Sequence, residues 1–324
     1  MTRIPALLAI SSEVEWMDRN TSTSQAAMAA LKLWSGARQN LLVPIGTSAS
    51  SVFGVRVNGA THFLRLTRQS FRSVDDVTAE LSFLHHLRSH GVHVAMAIPS
   101  IHDENVEKVG DYLATLFCRA PGLQVTPEAR LWNRAFFREW GRTLASQHQA
   151  ARAFCNPLSG WRRDWRREPV LVEGLKHIRA NDEQLTCCID AILAGLDRQG
   201  DTFGEVGMIH ADLGPQNFRY DPELGITAFD FDNCCRHWFQ YDIAVSLSVL
   251  RLRPDREQLV QWIFEGYRDL RPLPGDLGSL RLLLRLRLLY VYCDRLYSFG
   301  VSPGLDQTNI LRGFRNRLIL GDVW

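Results

Sequence analysis

Four side chains with acidic or amide ends, Asp212, Asn217, Asp230 and Asp232, crowd the stretch IHADLGPQNFRYDPELGITAFDFDN, residues 209–233. Around DPELG, the segments NFRY (217–220) and ITAFDF (226–231) read as two short strands joined by a turn. Pairing symmetric about Glu223 and Leu224 sets Asn217 opposite Asp230, with Cβ atoms roughly 4.5–5.5 Å apart. At that separation an amide oxygen and a carboxylate can share one metal ion. Such an all-oxygen pair suits Mg²⁺, which takes one or two carboxylates and fills its other positions with water and substrate phosphates. Asp212 precedes the first strand, in a loop with Gly214 and Pro215, free of the ladder. A carboxylate there can orient and deprotonate an attacking hydroxyl.

Taken singly, each of these residues reads as a turn cap. Taken together, Asp-x-x-x-x-Asn within His-x-Asp is the base and metal arrangement of protein kinases. That reading makes a demand on the N-terminal region. Kinase-type enzymes cover ATP phosphates with a loop between the first two strands of a sheet and hold them with a cation on the third. Here GTSASS (46–51) joins the first two strands, and its small residues Gly46, Ser48 and Ser50 let backbone amides approach phosphates, although G-x-G-x-x-G is absent. The third strand carries Arg65, whose bidentate fork fits phosphate. Glu80 lies on the helix face otherwise made of Val77 and Leu84, where a charge needs a partner such as Arg65.

The elements that must position these residues are visible in outline. A helix is expected over 23–34, then strands LLVPI (41–45), VFGVRV (52–57) and ATHFLRL (60–66). Asn58-Gly59 between the last two is a hairpin signal, because both positions of a type I′ turn need positive φ. Next, VDDVTAELSFLHHLRSHG reads as a helix begun at Asp75 or Asp76, striped by Val77, Leu81, Leu84 and Leu87, and ended by Gly91. After the buried strand within ATLFCRAPG the pattern turns helical: LWNRAFFREWGRTLASQH, then 255–270 and 280–297, with WRRDWRREP as an exposed basic connector. The opening hairpin is the only clear β feature of this second part.

Composition narrows the alternatives. A net charge of +2 over 324 residues is too mild for a nucleic-acid partner. The apolar run LRLLLRLRLLYVYCDRLYSF is broken by Arg281, Arg285, Arg287 and Arg295 inside the span a membrane helix needs, so no membrane partner is expected. Seven cysteines without Cys-x-x-Cys indicate neither a disulfide framework nor structural zinc, and the expected compartment is the reducing cytoplasm. His86 and His90 share an i, i+4 face but have no acidic third ligand in the pattern, and read as part of a solvated helix.

These residues together resemble the aminoglycoside phosphotransferase and choline kinase superfamily, with the closest look to its type II homoserine kinase and bacterial stress-response kinase branch. The motifs are HFLRL with Arg65, AELSFLHHL with Glu80, GRTLASQH ending at His148, HADLGPQN, FDFDN and YDIA, spanning about 41–244. The resemblance implies an α+β, bilobal protein-kinase-like fold with a small antiparallel-sheet N-lobe and a larger, mainly helical C-lobe. The division expected is 1–117 for the N-lobe, 118–124 for a hinge and 125–324 for the C-lobe. It implies Asp212 as catalytic base, Asn217 and Asp230 as Mg²⁺ ligands, and Arg65 with Glu80 on the ATP phosphates. His210 and Asp242 would brace the catalytic loop, and Asp232 would be a second metal contact or a substrate contact, on the same strand face as Asp230. The implied activity is ATP- and Mg²⁺-dependent phosphorylation of a small-molecule hydroxyl by a monomer or homodimer. A protein serine/threonine kinase and a nucleotide-binding pseudokinase are the alternatives. No DFG…APE activation segment follows Asp230, and the family's frequent His-Gly-Asp appears here with Ala211.

Overall fold

The computed structural model describes residues 22–36, 43–47, 50–155, 164–300 and 304–323. Its elements run α1 (Ser22–Leu31), β1 (Val43–Thr47), β2 (Ser50–Val57), β3 (Ala60–Arg68), α2 (Val74–Ser89), β4 (Ala97–Ile98), β5 (Glu107–Val109), β6 (Tyr112–Cys118) and α3 (Arg134–Ala151). They continue α4 (Pro169–Asn181), α5 (Glu183–Gln199), β7 (Val206–Ile209), β8 (Phe218–Asp221), β9 (Gly225–Ala228), β10 (Cys235–Trp238), α6 (Phe239–Ser248), α7 (Arg256–Arg268), α8 (Leu280–Phe299) and α9 (Leu305–Leu320). The chain forms two compact units, one of Met1–Val74 with Ala97–Arg119, the other of Asp75–Met96 with Ala120–Trp324.

The first unit is an antiparallel sheet in the order β1-β2-β3-β6-β4, with β5 also on β6. Val57 pairs with Ala60 across Asn58 and Gly59, whose φ values of 50° and 81° are what a type I′ turn requires. Alternation then sends Phe53, Val55, Leu64 and Leu66 into a core shared with Ala27, Ala30, Leu31 and Trp34 of the leading helical segment. The Trp34 indole N–H donates to the Ile98 carbonyl at 2.8 Å, so this bulky ring is buried without an unmet donor.

In the second unit, Val77, Leu81, Leu84 and Leu87 bury one face of α2, as their spacing predicts. Asn133 caps α3 by accepting the Phe136 amide at 3.2 Å. Helices α3 and α7 pack with backbones in close approach. A Cβ on Gly141 would lie 2.0 Å from the Ile263 carbonyl oxygen, and one on Gly266 1.8 Å from that of Arg138.

The unit holds a second two-stranded pair beside β8–β9: β7 pairs with β10, Ile209 opposite Cys235. Its strands VGMI and CRHW are too short to show alternation, so the reading of a single β feature is corrected here. The basic connector stays exposed at Arg166 and Arg167 and is packed elsewhere where it is described. Trp165 and Glu168 are buried, and Trp165–Arg167 is a short 3₁₀ turn capped by Asp164; residues 161–163 lie outside the described residues. Among the described residues, no helix is long and apolar enough to cross a membrane.

Candidate active site

The β8–β9 hairpin forms in a register one residue from that expected. Phe218 pairs with Ala228 and Asp221 with Gly225, leaving a three-residue loop. The Asp221 carboxylate accepts the Glu223 and Leu224 amides at 2.8 and 3.1 Å, and Gly225 takes φ 83° to close the turn. An odd loop moves the axis of symmetry onto Glu223, so Asn217 lies opposite Phe229, whose amide donates to the Asn217 carbonyl at 2.9 Å.

Asp230 comes one residue later and leaves the ladder in the left-handed region, φ 63° and ψ 60°, at the head of a 3₁₀ turn, Phe231–Asn233. Its side chain is exposed, whereas Asp232, inside that turn, is 7% exposed. The two aspartates therefore do not share a strand face, because the strand has ended before either. A non-glycine residue held left-handed costs about 1–2 kcal/mol, tolerated here where the carboxylate is turned out of the sheet.

The loop between β7 and β8 is held by α6. The buried carboxylate of Asp242 accepts the backbone amides of His210 at 3.2 Å and Ala211 at 2.8 Å. Ser246, one turn further along the helix, donates its hydroxyl to the Leu213 carbonyl at 2.8 Å. Ala211 itself sits at φ 63°, the conformation a glycine would adopt without strain. His210 ties the loop to the second strand: its Nδ1 accepts the Asp212 amide at 3.3 Å, so Nε2 carries the hydrogen and donates to the Phe229 carbonyl at 3.1 Å. Both His210 and Asp242 thus have the geometry of loop supports.

Behind Asp242 lies a buried chain of polar groups. His148 Nε2 donates to Asp242 at 3.3 Å and its Nδ1 accepts from the Tyr267 hydroxyl at 2.8 Å. Burial holds the His148 imidazole below the usual histidine range, despite the neighbouring Asp242. His237 is held well below it by burial, with Arg166 adding to the effect. Both rings are neutral in the fold and titrate near 6.5 once unfolded. Below that pH the unfolded chain binds more protons, so stability falls as pH falls, by up to about 1.4 kcal/mol per unit for each histidine. The thermal midpoint is expected to drop between pH 7.5 and 5.5; a midpoint that rises or holds over that interval contradicts this assignment.

Asp212 is gripped on both oxygens. Asn217 Nδ2 donates to its Oδ2 at 2.8 Å and to its carbonyl at 2.9 Å, while Arg287 Nη2 forms an ion pair with Oδ1. Arg287 also reaches the Ala211 carbonyl through Nη1 at 3.4 Å. Burial opposes the Arg287 charge, but Asp212 and the nearby Tyr241 and Tyr290 outweigh it, and the guanidinium is held more firmly protonated than usual. Sequence reasoning met Arg287 only as an interruption of an apolar helix. A charge on the face of α8 that also carries Leu283 and Leu284 was the signal that it needed an acid partner.

The bonds to Asp212 also fix the Asn217 amide. With both contacts made through Nδ2, Oδ1 is the end left on the opposite side, and Asp230 follows directly on Asn217's cross-strand neighbour. The donors offered are oxygens alone, matching a hard cation that keeps waters and substrate ligands. Among the described residues, no group of three or more His, Cys, Asp or Glu side chains forms a metal cage.

The remaining predicted residues are placed as follows. Arg65 is on β3 of the first unit, 4% exposed, with its guanidinium 4.9 Å from the centre of the Phe117 ring. Glu80 is fully buried on α2, in the second unit. Gly46 pairs with Val52 at the end of β1, and Ser50 begins β2 with its hydroxyl 2.9 Å from that of Thr67. Ser48 lies outside the described residues.

An amicoumacin kinase from Bacillus subtilis (strain 168) is 29% identical over 272 residues, covering 78% of this chain and 80% of that protein. A homoserine kinase from Sinorhizobium fredii (strain NBRC 101917 / NGR234) is 29% identical over 245 residues, 71% of each. The same fold is found in a solved amicoumacin kinase in complex with AMP-PNP, Ca²⁺ and Ami, with TM-score 0.81 and 23% identity over 94% of this chain and 95% of that one. A microcompartment-associated aminopropanol kinase gives TM-score 0.73 at 22% identity, covering 91% and 95%. The profile of the phosphotransferase enzyme family matches residues 42–280, which takes in β2, β3, the braced loop, the hairpin and α6, and so the chain belongs to that family.

Proposed function

We propose that the chain transfers the γ-phosphoryl group of ATP to a hydroxyl of a small molecule, with Mg²⁺ as the metal. The observation that carries this is the Asp212 carboxylate, fixed on one side by Arg287 and on the other by Asn217. Asp212 orients the acceptor hydroxyl and takes its proton as the oxygen attacks phosphorus. Each carboxylate oxygen has two lone pairs, so Asp212 can still accept that proton while both grips persist.

Asn217 Oδ1 and Asp230 are assigned to the metal, which when bound would offset phosphate charge, and the buried Asp232 to a second metal contact or a substrate contact. Arg65, Glu80 and the segment with Gly46, Ser48 and Ser50 are assigned to the nucleotide. His210 and Asp242 keep the loop in place. The names of the relatives, kinases of amicoumacin, homoserine and aminopropanol, support a small-molecule acceptor.

The test is ADP release across hydroxylated metabolites, amino acids and aminoglycosides. Release that requires ATP, an acceptor and Mg²⁺, and stops with EDTA, is expected. Asn217→Ala should raise the Mg²⁺ needed for half-maximal rate by about 10–100-fold, the scale seen when groups at a metal site are removed. A panel with no acceptor-dependent release, or a variant with unchanged Mg²⁺ dependence, speaks against these roles.

A further inference from the structure

Beside the catalytic loop lies a small, partly open cavity whose walls include Glu168, Ala211, Asn233, His237 and Tyr290. Its room for the centre of a water-sized group is about 10 Å³, enough for one hydroxyl-sized terminus. His237 is the polar group in its wall whose chemistry is most constrained. The ring is 2% exposed and stacked between Trp165, with centroids 4.8 Å apart, and Tyr241, at 4.0 Å.

Its Nδ1 faces the backbone amide of Trp238 at 2.8 Å, and since that amide can only donate, Nδ1 accepts. The hydrogen is therefore on Nε2. Among the described residues, Nε2 has no hydrogen-bond partner. A buried donor of this kind on a residue that lines a cavity calls for an acceptor atom.

The neighbours limit what that atom can be. Glu168, also 2% exposed, brings a carboxyl to the same wall, and its oxygens oppose an anionic oxygen in so small a space. An ammonium could donate to Glu168 but has no lone pair to offer the Nε2–H. A neutral oxygen meets neither objection. Ala211 lines the cavity and Asp212 is the next residue, roughly 3.8 Å away between Cα atoms, so the cavity adjoins the loop that carries Asp212.

We propose that this cavity receives a second, uncharged oxygen of the phosphoryl acceptor, a hydroxyl or a carboxamide carbonyl, which accepts the His237 Nε2–H bond while the reacting hydroxyl lies at Asp212. The assignment rests on the phosphotransfer reading above. It makes His237 a specificity-determining residue for acceptors that carry an uncharged second oxygen, and an acceptor whose only second function is a carboxylate or an ammonium gains nothing from the His237 N–H.

The test uses two substitutions in the full chain. In His237→Asn the amide oxygen can replace Nδ1 toward Trp238 but nothing reaches the Nε2 position; in His237→Gln the amide N–H can stand where Nε2–H stood. Acceptors are L-threoninamide and glycerol, which carry an uncharged second oxygen, 1-amino-2-propanol, which does not, and L-homoserine, whose second function on that side is a carboxylate. For the first two, His237→Asn should raise KM by tenfold or more with kcat within about threefold, and His237→Gln should recover most of the loss. 1-Amino-2-propanol should be indifferent to both. Equal losses on all four acceptors, or an unchanged KM in His237→Asn, overturn the proposal.

A second readout is the ¹⁵N-labelled His237 Nε2–H signal. Its shift on adding L-threoninamide or glycerol is expected even where turnover is absent, which separates this site from the catalytic role of Asp212. No shift with either compound, with no turnover of either, also overturns the proposal.

Discussion

Asp212→Asn is expected to lower kcat by about 10²–10⁴-fold while leaving nucleotide binding in place, because a proton acceptor is lost and a shape is kept. Single-turnover phosphorylation measures the first, and the shift in thermal midpoint produced by ATP measures the second. The substitution has another effect that a free carboxylate would not have. Arg287 is held between its Asp212 partner and the Ala211 carbonyl, with only 12% of its side chain exposed. Removing the acid leaves a mostly buried cation without its counter-charge, and the midpoint should fall as well. The double variant Asp212→Asn, Arg287→Met should recover stability and not activity. A single variant that retains turnover sinks the base assignment; one that loses activity with no change in midpoint sinks the ion pair as a structural element.

The second large effect is expected at Asp242→Asn. Its carboxylate accepts three donors in a site with no solvent exposure: two backbone amides and His148 Nε2. An asparagine supplies one acceptor oxygen and turns N–H groups toward at least one of those donors. The loss should be about 3 kcal/mol, with a fall in midpoint on the order of 6–12 °C. Because the amides belong to His210 and Ala211, kcat should fall with stability even though Asp242 touches no reacting atom. Scanning calorimetry beside a steady-state assay checks both. An unchanged midpoint would mean that the loop is held by its other contacts.

Much of this was legible before any coordinates. Asn58-Gly59 fixed one hairpin because only a few residue types accept two positive φ angles in succession, and His210, Asp212, Asn217 and Asp230 announced themselves by spacing. The hairpin register was misread for a local reason. The Asp221 side chain and Gly225 make a three-residue loop where symmetry about two residues had been assumed, and one residue of slip moves every cross-strand partner. The left-handed backbone at Ala211 was not legible, since alanine does not favour that region, and at Asp230 it was not read although aspartate enters that region more often than most residues.

What Arg287 and His237 meet in the fold was out of reach for another reason. Their partners lie 75 residues away in one case and are aromatic ring faces in the other, and no periodicity records such meetings.

The loop that carries Asp212 is fastened through main-chain atoms: Asp242 holds two N–H groups and Ser246 holds a carbonyl. Such fastenings do not read the side chains of the residues they hold. The contacts themselves are therefore indifferent to the side chains at 211 and 213, which answer instead to the φ of 63° at Ala211 and the full burial of Leu213. For an enzyme lineage that changes acceptors, this separates two kinds of inheritance. The side chains of the loop answer to one set of demands, and the path that carries the Asp212 carboxylate is set from a separate helix.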